Sequence, residues 1–316
     1  MVRRGYKIKR SLEKTLPDLW MLATGGAPAF VYGGAVRGLP IFTYHIVDAS
    51  FERDLAALHD GGYRTAGTGE LLEWANGARR PDGRVVALTF DDGHASLGAV
   101  AVPLLERFGY RAIAFVVSGL VPDRSTDTLT GWRQLSTAVA RGTLEVGAHS
   151  LFHHHVPVSA SIVGVVTATT ATHFAANIPV PRWPGDSPVP IGTPILAGRP
   201  RYVARPAFRP AAGEMERIAS LAARAGAAEL GSGGWWRTVQ SEPEVRGSIE
   251  TLEEADAAIA DDIRVSIERI VERCPNPAAR HVCYPWYSGD ERTHRVARRA
   301  GAVAVYGGVG MKTMPA

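Results

Sequence analysis

The chain of 316 residues is 46% hydrophobic and 21% charged, which is typical of a globular protein and excludes extensive disorder. Its 35 lysines and arginines exceed its 31 aspartates and glutamates, and much of this excess lies in the first fourteen residues. The body of the chain therefore gives no sign of nucleic-acid binding. The two cysteines, Cys274 and Cys283, are too few for a disulfide scaffold.

Residues 1–38 are predicted to form a basic N-terminal extension. A secretory signal places its apolar run directly after the basic residues, whereas here Glu13, Pro17 and Asp18 interrupt the sequence. The later uncharged run, residues 19–36, contains four glycines and a proline, which is unfavourable for a membrane-spanning helix. We expect a solvated leader, with peripheral membrane contact as the alternative. The location stays open between the cytoplasm and the periphery of the cell envelope.

From residue 39 onwards, strand and helix patterns alternate. The apolar and aromatic run Leu39–Val47 predicts a first strand, and the β-branched run Arg84–Phe90 predicts a buried one. Further strands are predicted over 112–117, 144–147, 281–284 and 303–306, and helices over 51–59, 70–75, 99–108, 132–140, 214–225, 249–273 and 291–300. Alternation at this spacing indicates βα units and a parallel α/β sheet.

The alternation of strand and helix patterns is interrupted between about residues 156 and 210. Seven prolines lie between positions 179 and 200, in a segment with little helical period. We predict one domain over 39–316 that contains an irregular insertion, about 156–248, lying over the core.

The first chemical motif is TFDDG, residues 89–93, at the end of the second predicted strand. In α/β barrels the carboxyl ends of the strands present the catalytic groups. Because neighbouring residues of a strand point to opposite faces, Asp91 and Asp92 can serve one site only if the chain bends, which Gly93 permits. An ordinary Asp-Gly turn is the simpler interpretation of this motif alone.

The second motif is HSLFH, residues 149–153, directly after the short strand pattern LEVGA. Histidines four residues apart can reach one metal ion, and imidazole with carboxylate is a common set of ligands for a divalent ion. His154 and His155 follow directly, so the identity of the second histidine ligand stays open. A polar surface run is the alternative.

Together the two motifs resemble those of the polysaccharide deacetylases, the NodB-homology group or carbohydrate esterase family 4. The resemblance implies a distorted (β/α)7-type barrel and a hydrolase that depends on a divalent metal ion, with zinc as the expected one. It also implies that Asp91 is the general base and that Asp92, His149 and His153 bind the metal.

The segment Cys283–Trp286, CYPW, resembles the third motif of the family, although that motif usually reads RPPYG or YPYG. The resemblance implies that Tyr284, Pro285 and Trp286 contribute to the substrate groove and the oxyanion site. The side chain of Trp286 would line the groove, and its backbone N–H would help to hold the oxyanion.

The tripeptide Thr43-Tyr44-His45 resembles the start of the branch that contains the poly-N-acetylglucosamine deacetylases. In that branch this histidine is the general acid, whereas the commoner branch uses a C-terminal histidine. Here no histidine follows His294, which lies inside a predicted helix, so the resemblance favours His45 as the acid.

The implied function is removal of N-acetyl groups from an amino-sugar polysaccharide or oligosaccharide, with the acetylated glycan as partner and no nucleic acid. One alternative is an esterase that removes O-acetyl groups with the same metal site. Another is a carbohydrate-binding homologue with impaired catalysis. A glycosidase dyad of Asp91 and Asp92 would leave the two histidines unexplained.

Overall fold

The computed structural model describes residues 39–77, 83–166, 192–203, 206–224, 244–307 and 310–313. The predicted extension over 1–38, with its alternative of membrane contact, and most of the proline-rich run lie outside these ranges. Among the helices described, none combines the length and the apolar character needed to cross a bilayer.

The described strands are β1 (Ile41–Tyr44), β2 (Arg64–Thr65), β3 (Val85–Asp92), β4 (Ala112–Val116), β5 (Leu144–Ala148), β6 (His155–Val165), β7 (Pro194–Pro200), β8 (Phe208–Pro210), β9 (Gly247–Ile249), β10 (His281–Cys283), β11 (Ala304–Gly307) and β12 (Gly310–Thr313). The described α-helices are α1 (Phe51–Asp60), α2 (Thr68–Ala75), α3 (Val102–Phe108), α4 (Trp132–Ala140), α5 (Glu214–Arg224), α6 (Leu252–Arg273) and α7 (Glu291–Arg299).

Eight strands form one sheet in the order β1-β3-β4-β5-β10-β11-β12, with β2 also paired to β3. The β1–β3, β2–β3, β3–β4, β5–β10 and β10–β11 pairs are parallel, and β12 adds an antiparallel edge. The predicted parallel sheet with helices in its connections is therefore confirmed. All the predicted strands and helices are present with shifted bounds, the largest shift being at β1, which is shorter than the apolar run that predicted it.

The described residues fall into two compact units. The first comprises residues up to 116, 121–147 and 271–279. Its core is strand β3, where only the last of eight residues is not fully buried, together with β4, which is buried throughout. The rings of Tyr44, Phe51 and Phe90 pack together at centroid distances of 4.9–5.6 Å, so that β1 and α1 are held against β3.

The second unit comprises residues 117–120, 148–270 and 280–316. It contains two structures that the sequence patterns did not predict, the antiparallel pairs β6–β7 and β8–β9. Their apolar side chains and those of α5 share a small core of Val165, Leu196, Phe208, Met215, Ile218 and Val245. The described part of the insertion is thus more regular than we expected from its prolines. The predicted domain bounds stay predictions.

A buried histidine opens strand β10. His281 is 2% exposed, and its Nδ1 lies 3.1 Å from the Tyr306 hydroxyl. Burial lowers the pKa of His281 from 6.5 to about 4, because the charged imidazolium would lose its hydration. The folded protein therefore holds this side chain neutral across the physiological range.

This burial predicts a loss of stability in mild acid. Between about pH 6.5 and pH 4 the unfolded chain binds a proton at His281 that the folded chain does not, so the free energy of unfolding falls as the pH falls. The contribution amounts to up to about 3 kcal/mol. Urea unfolding of the wild type and of His281→Gln at several pH values measures it.

The exposed His59 supplies the control, because His59→Gln removes a histidine whose side chain is 63% exposed. We expect the pH dependence to flatten in His281→Gln alone. An equal pH dependence in His281→Gln and the wild type would contradict the assignment.

Candidate active site

Strand β3 carries the two aspartates of the first motif to the carboxyl edge of the sheet. Asp91 is 2% exposed, and Asp92 is the last residue of the strand. The parallel register pairs Thr43 of β1 with Thr89, and their hydroxyls lie 2.8 Å apart. Since alternate residues of a strand share a face, Asp91 lies on the same face of β3 as Thr89.

The chain turns sharply after Asp91. Asp92 has a φ of 70°, and the N–H of Gly93 donates to the Asp91 carbonyl oxygen at 2.9 Å, which closes a three-residue turn. We expected Gly93 to supply the bend, and its own φ of 78° does so in part, but the left-handed turn already begins at Asp92. This turn lets Asp92 leave the alternation of the strand.

His45 follows β1 directly and is exposed. The register pairs Tyr44, the last residue of β1, with Phe90 of β3, so His45 and Asp91 each follow a paired residue at the carboxyl edge of the sheet. Tyr44 fixes this end of β1 through a hydrogen bond of its hydroxyl to Asp54 at 3.3 Å.

His149 follows β5 and is 2% exposed. Its Nδ1 lies 3.0 Å from the carbonyl oxygen of Cys283. Because a carbonyl oxygen can only accept, Nδ1 must carry the proton and donate, so in the neutral imidazole Nε2 is the nitrogen that carries the lone pair. An imidazole held by a backbone carbonyl in this way is the arrangement that metal-binding histidines usually show.

The loop that joins the two histidines has an unusual backbone. Ser150 and His153 have φ angles of 68° and 49°, and left-handed conformations cost non-glycine residues roughly 1–2 kcal/mol each. The N–H of His153 donates to the Ser150 hydroxyl at 2.7 Å. This turn brings the rings of His149 and His153 to a centroid distance of 4.9 Å.

The ligand atoms of Asp92, His149 and His153 all lie within 4.8 Å of one another. One carboxylate and two imidazoles form a donor set suited to zinc and other divalent ions. Of the three consecutive histidines His153, His154 and His155, His153 belongs to this group. His155 instead begins β6 and stacks on Trp286 at 4.2 Å.

A residue that the motifs did not predict lies beside this group. Asp91, His149 and Cys283 form a second set whose donor atoms are within 4.8 Å of one another, and all three residues are buried. Cys283 belongs to the third motif, but the motif predicted no role for it in the site. Its contact with His149 runs through its backbone carbonyl, which no pattern of side chains reveals.

The residues of the third motif differ in their burial. Tyr284 is fully buried, its N–H donates to the Tyr306 carbonyl, and burial raises the pKa of its hydroxyl above the ordinary value. Pro285 is buried and has no N–H. Trp286, by contrast, is 38% exposed and lies 4.2 Å from the ring of His153. Trp286 is thus the residue of the three whose side chain is partly exposed.

Comparison with known proteins gives a match in sequence. Residues 78–178 match the family model for polysaccharide deacetylase. The chain is also 25% identical over 124 residues to YxkH of Bacillus subtilis, a protein named as a polysaccharide deacetylase. That match covers 36% of this chain and 43% of YxkH.

Two solved structures have a similar fold. A de-N-acetylase from Aggregatibacter actinomycetemcomitans superposes with a TM-score of 0.54 at 14% identity, over 88% of this chain and 91% of that one. The BpsB deacetylase domain from Bordetella bronchiseptica gives a TM-score of 0.54 at 17% identity, over 85% and 88% of the two chains. The protein therefore has the (β/α)-barrel fold of these deacetylases, and residues 78–178 carry the sequence pattern of the polysaccharide deacetylase family.

Proposed function

We propose that the protein is a metal-dependent hydrolase that removes N-acetyl groups from an N-acetylated amino-sugar glycan. The observation that carries the proposal is the group of Asp92, His149 and His153, whose ligand atoms lie within 4.8 Å of one another next to the buried Asp91. The match of residues 78–178 to the polysaccharide deacetylase family supports the same reaction.

The proposed metal is zinc, held by Asp92, His149 and His153. The Nδ1–H of His149 donates to the Cys283 carbonyl, so Nε2 is the nitrogen that would bind the ion. When bound, a divalent ion supplies Lewis-acid polarisation of the acyl carbonyl and lowers the pKa of a water molecule. Three protein ligands leave coordination positions for both.

Asp91 is the proposed general base. Its side chain lies on the same face of β3 as Thr89, near the end of the strand, and the left-handed backbone begins only at the next residue, Asp92. In amide hydrolysis Asp91 would accept a proton from the attacking water. Asp92 serves the metal, so the two neighbours have different roles.

His45 is the proposed general acid, as in the branch whose YH motif it resembles. Cleavage of the C–N bond leaves an amine nitrogen that must gain a proton. An imidazolium at His45 would donate it, and the position of His45 directly after β1, the strand that pairs with β3, supports this role. Acid and base would then both come from the carboxyl edge of β1 and β3.

Trp286 is the proposed sugar platform. Its ring is 38% exposed beside His153, and the neighbouring Tyr287 is 36% exposed. Sugars present C–H faces that stack on such aromatic rings, and the backbone N–H of Trp286 is the proposed donor to the oxyanion. The tight packing of Tyr284 would hold this turn in place.

The roles of Asp91 and His149 predict two different defects. Asp91→Asn keeps the size of the side chain but cannot accept the proton, so we expect zinc content to stay at wild-type level while kcat falls about 10²–10⁴-fold. His149→Ala removes a ligand, so we expect loss of zinc. Acetate release from N-acetylglucosamine oligomers and metal analysis of the same samples measure both.

Cys274→Ser is a suitable control for handling and folding, because Cys274 is a buried residue outside the proposed site. It should keep both zinc and activity. Wild-type turnover by zinc-loaded Asp91→Asn, or stoichiometric zinc in His149→Ala, would contradict the assignment.

His45→Ala tests the acid and separates amide from ester cleavage. An amine is a poor leaving group and needs the proton, whereas the alcohol of an activated acetyl ester does not. We expect the variant to lose about 10²–10⁴-fold on N-acetylated oligomers and to stay close to wild type on an aryl acetate. Ester activity that far exceeds amide activity already in the wild type would instead favour an O-acetyl esterase.

A further inference from the structure

The loop that carries the two histidines, residues 149–153, is supported from outside by helix α6. Two polar residues four positions apart on one face of this helix, Asp262 and Ser266, contact the loop backbone. Both are buried, with exposures of 8% and 0%. Buried polar side chains are retained where they have specific partners, and here the partners are the loop's own peptide groups.

Ser266 holds Ser150, which is one of the two left-handed residues of the loop. Its hydroxyl donates to the Ser150 carbonyl oxygen at 3.2 Å and accepts a hydrogen bond from the Ser118 hydroxyl at 2.9 Å. The backbone N–H of Ser118 donates to the same carbonyl at 3.3 Å. Ser150 is therefore fixed at its carbonyl by two donors from separate segments of the chain.

Asp262 holds the next peptide group. One carboxylate oxygen, Oδ1, accepts from the Leu151 N–H at 3.1 Å and from the Tyr202 hydroxyl at 2.5 Å. Tyr202 is fully buried and packs edge-on against Tyr284 at 5.4 Å. Asp262 thus ties the histidine loop to the packing beneath the third motif.

The turn at residues 118–119 also lies close to the loop. The N–H of Gly119 donates to the Leu151 carbonyl at 2.8 Å, and a Cβ at Gly119 would lie 2.3 Å from that oxygen and 2.6 Å from the Phe152 ring. A strained backbone persists only where its surroundings determine it on several sides. Here α6 and the turn at 118–119 do so together.

We infer that Asp262 and Ser266 are positioning residues, which set the separation and direction of the His149 and His153 imidazoles through the backbone of the loop. The inference rests on the proposed function, because it assumes that the two imidazoles are held in this arrangement to bind a metal ion. Neither residue lies in the motifs that carry the resemblance, and neither is a ligand in the proposed site. Their contribution is to hold the loop in the ligand-ready conformation before an ion arrives.

The test measures zinc affinity by chelator competition in variants that remain folded. Loss of outer contacts to metal ligands typically weakens metal binding 10–100-fold. We expect a loss of about this size in Asp262→Ala and a loss near its lower end in Ser266→Ala. Asp262→Asn keeps an oxygen that accepts from Leu151 and Tyr202, so we expect it to restore affinity to within about threefold of the wild type.

Ile270→Val is the matched control for helix packing. Ile270 is a fully buried residue of the same helix, and shortening it lowers stability while it keeps the hydrogen bonds of Asp262 and Ser266 to the loop. We expect a lower melting temperature with unchanged zinc affinity. A general packing role for α6 would weaken zinc binding as much in Ile270→Val as in Ser266→Ala, and that result would overturn the inference.

The outcomes separate this inference from the proposed function. Wild-type zinc affinity in folded Asp262→Ala and Ser266→Ala, with an active wild-type enzyme, overturns the positioning role alone. A wild-type protein that binds no zinc overturns the proposed function and the inference together. If Asp262→Ala fails to fold, Ser266→Ala and Asp262→Asn still decide the question.

Discussion

Left-handed backbone at the ends of three parallel strands is the constraint on which the candidate site depends. Among the described residues, the non-glycine positions with positive φ are Asp92, Ser150, His153, Trp286 and Tyr287. They lie at the end of β3 or after β5 and β10, and four of the five belong to the three motifs, while Tyr287 directly follows the third. Strain of this kind costs stability and persists where it directs a side chain that function requires. At these turns the side chains no longer alternate between the two faces of the sheet, and the turns lie where the proposed chemistry occurs.

The supports of these turns include hydrogen bonds to backbone carbonyl groups at the ends of the strands. The Cys283 carbonyl fixes the tautomer of His149, and the Asp91 carbonyl closes the turn at Asp92. Such contacts depend on where the strands lie and not on which side chains they carry. A sheet with buried parallel strands supplies rigid carbonyl and N–H groups at its edge, so a site can be built there with few specialised residues.

The sequence predicted those parts that depend on local pattern. The continuous apolar run of β3 identified a buried strand of the parallel sheet, because a strand that is buried on both faces is apolar throughout. The spacing of apolar residues identified helices such as α1. The two motifs indicated Asp91, Asp92, His149 and His153, and the structure brings the donor atoms of the last three together. The roles of His45 and Trp286 stay predictions.

What the sequence could not predict are contacts between residues distant in the chain. The antiparallel pair β6–β7 forms although prolines and an irregular pattern obscure its alternation, because its apolar residues find partners on β8 and α5. Asp262 is 111 positions from Leu151, and within α6 it looks like one more acidic residue on a solvated helix. Only tertiary structure distinguishes it from Asp261, which is exposed and pairs with Arg264.

In the proposed site, the carboxylate at the end of β3 and the two histidines after β5 share one ion. A crystal structure of the zinc-loaded protein, with anomalous diffraction measured on both sides of the zinc absorption edge, locates that ion directly. We expect one strong anomalous peak about 2.0–2.2 Å from a carboxylate oxygen of Asp92, from Nε2 of His149 and from an imidazole nitrogen of His153. A peak bound elsewhere, or bonded to His149 through Nδ1 with the Cys283 contact broken, would contradict it.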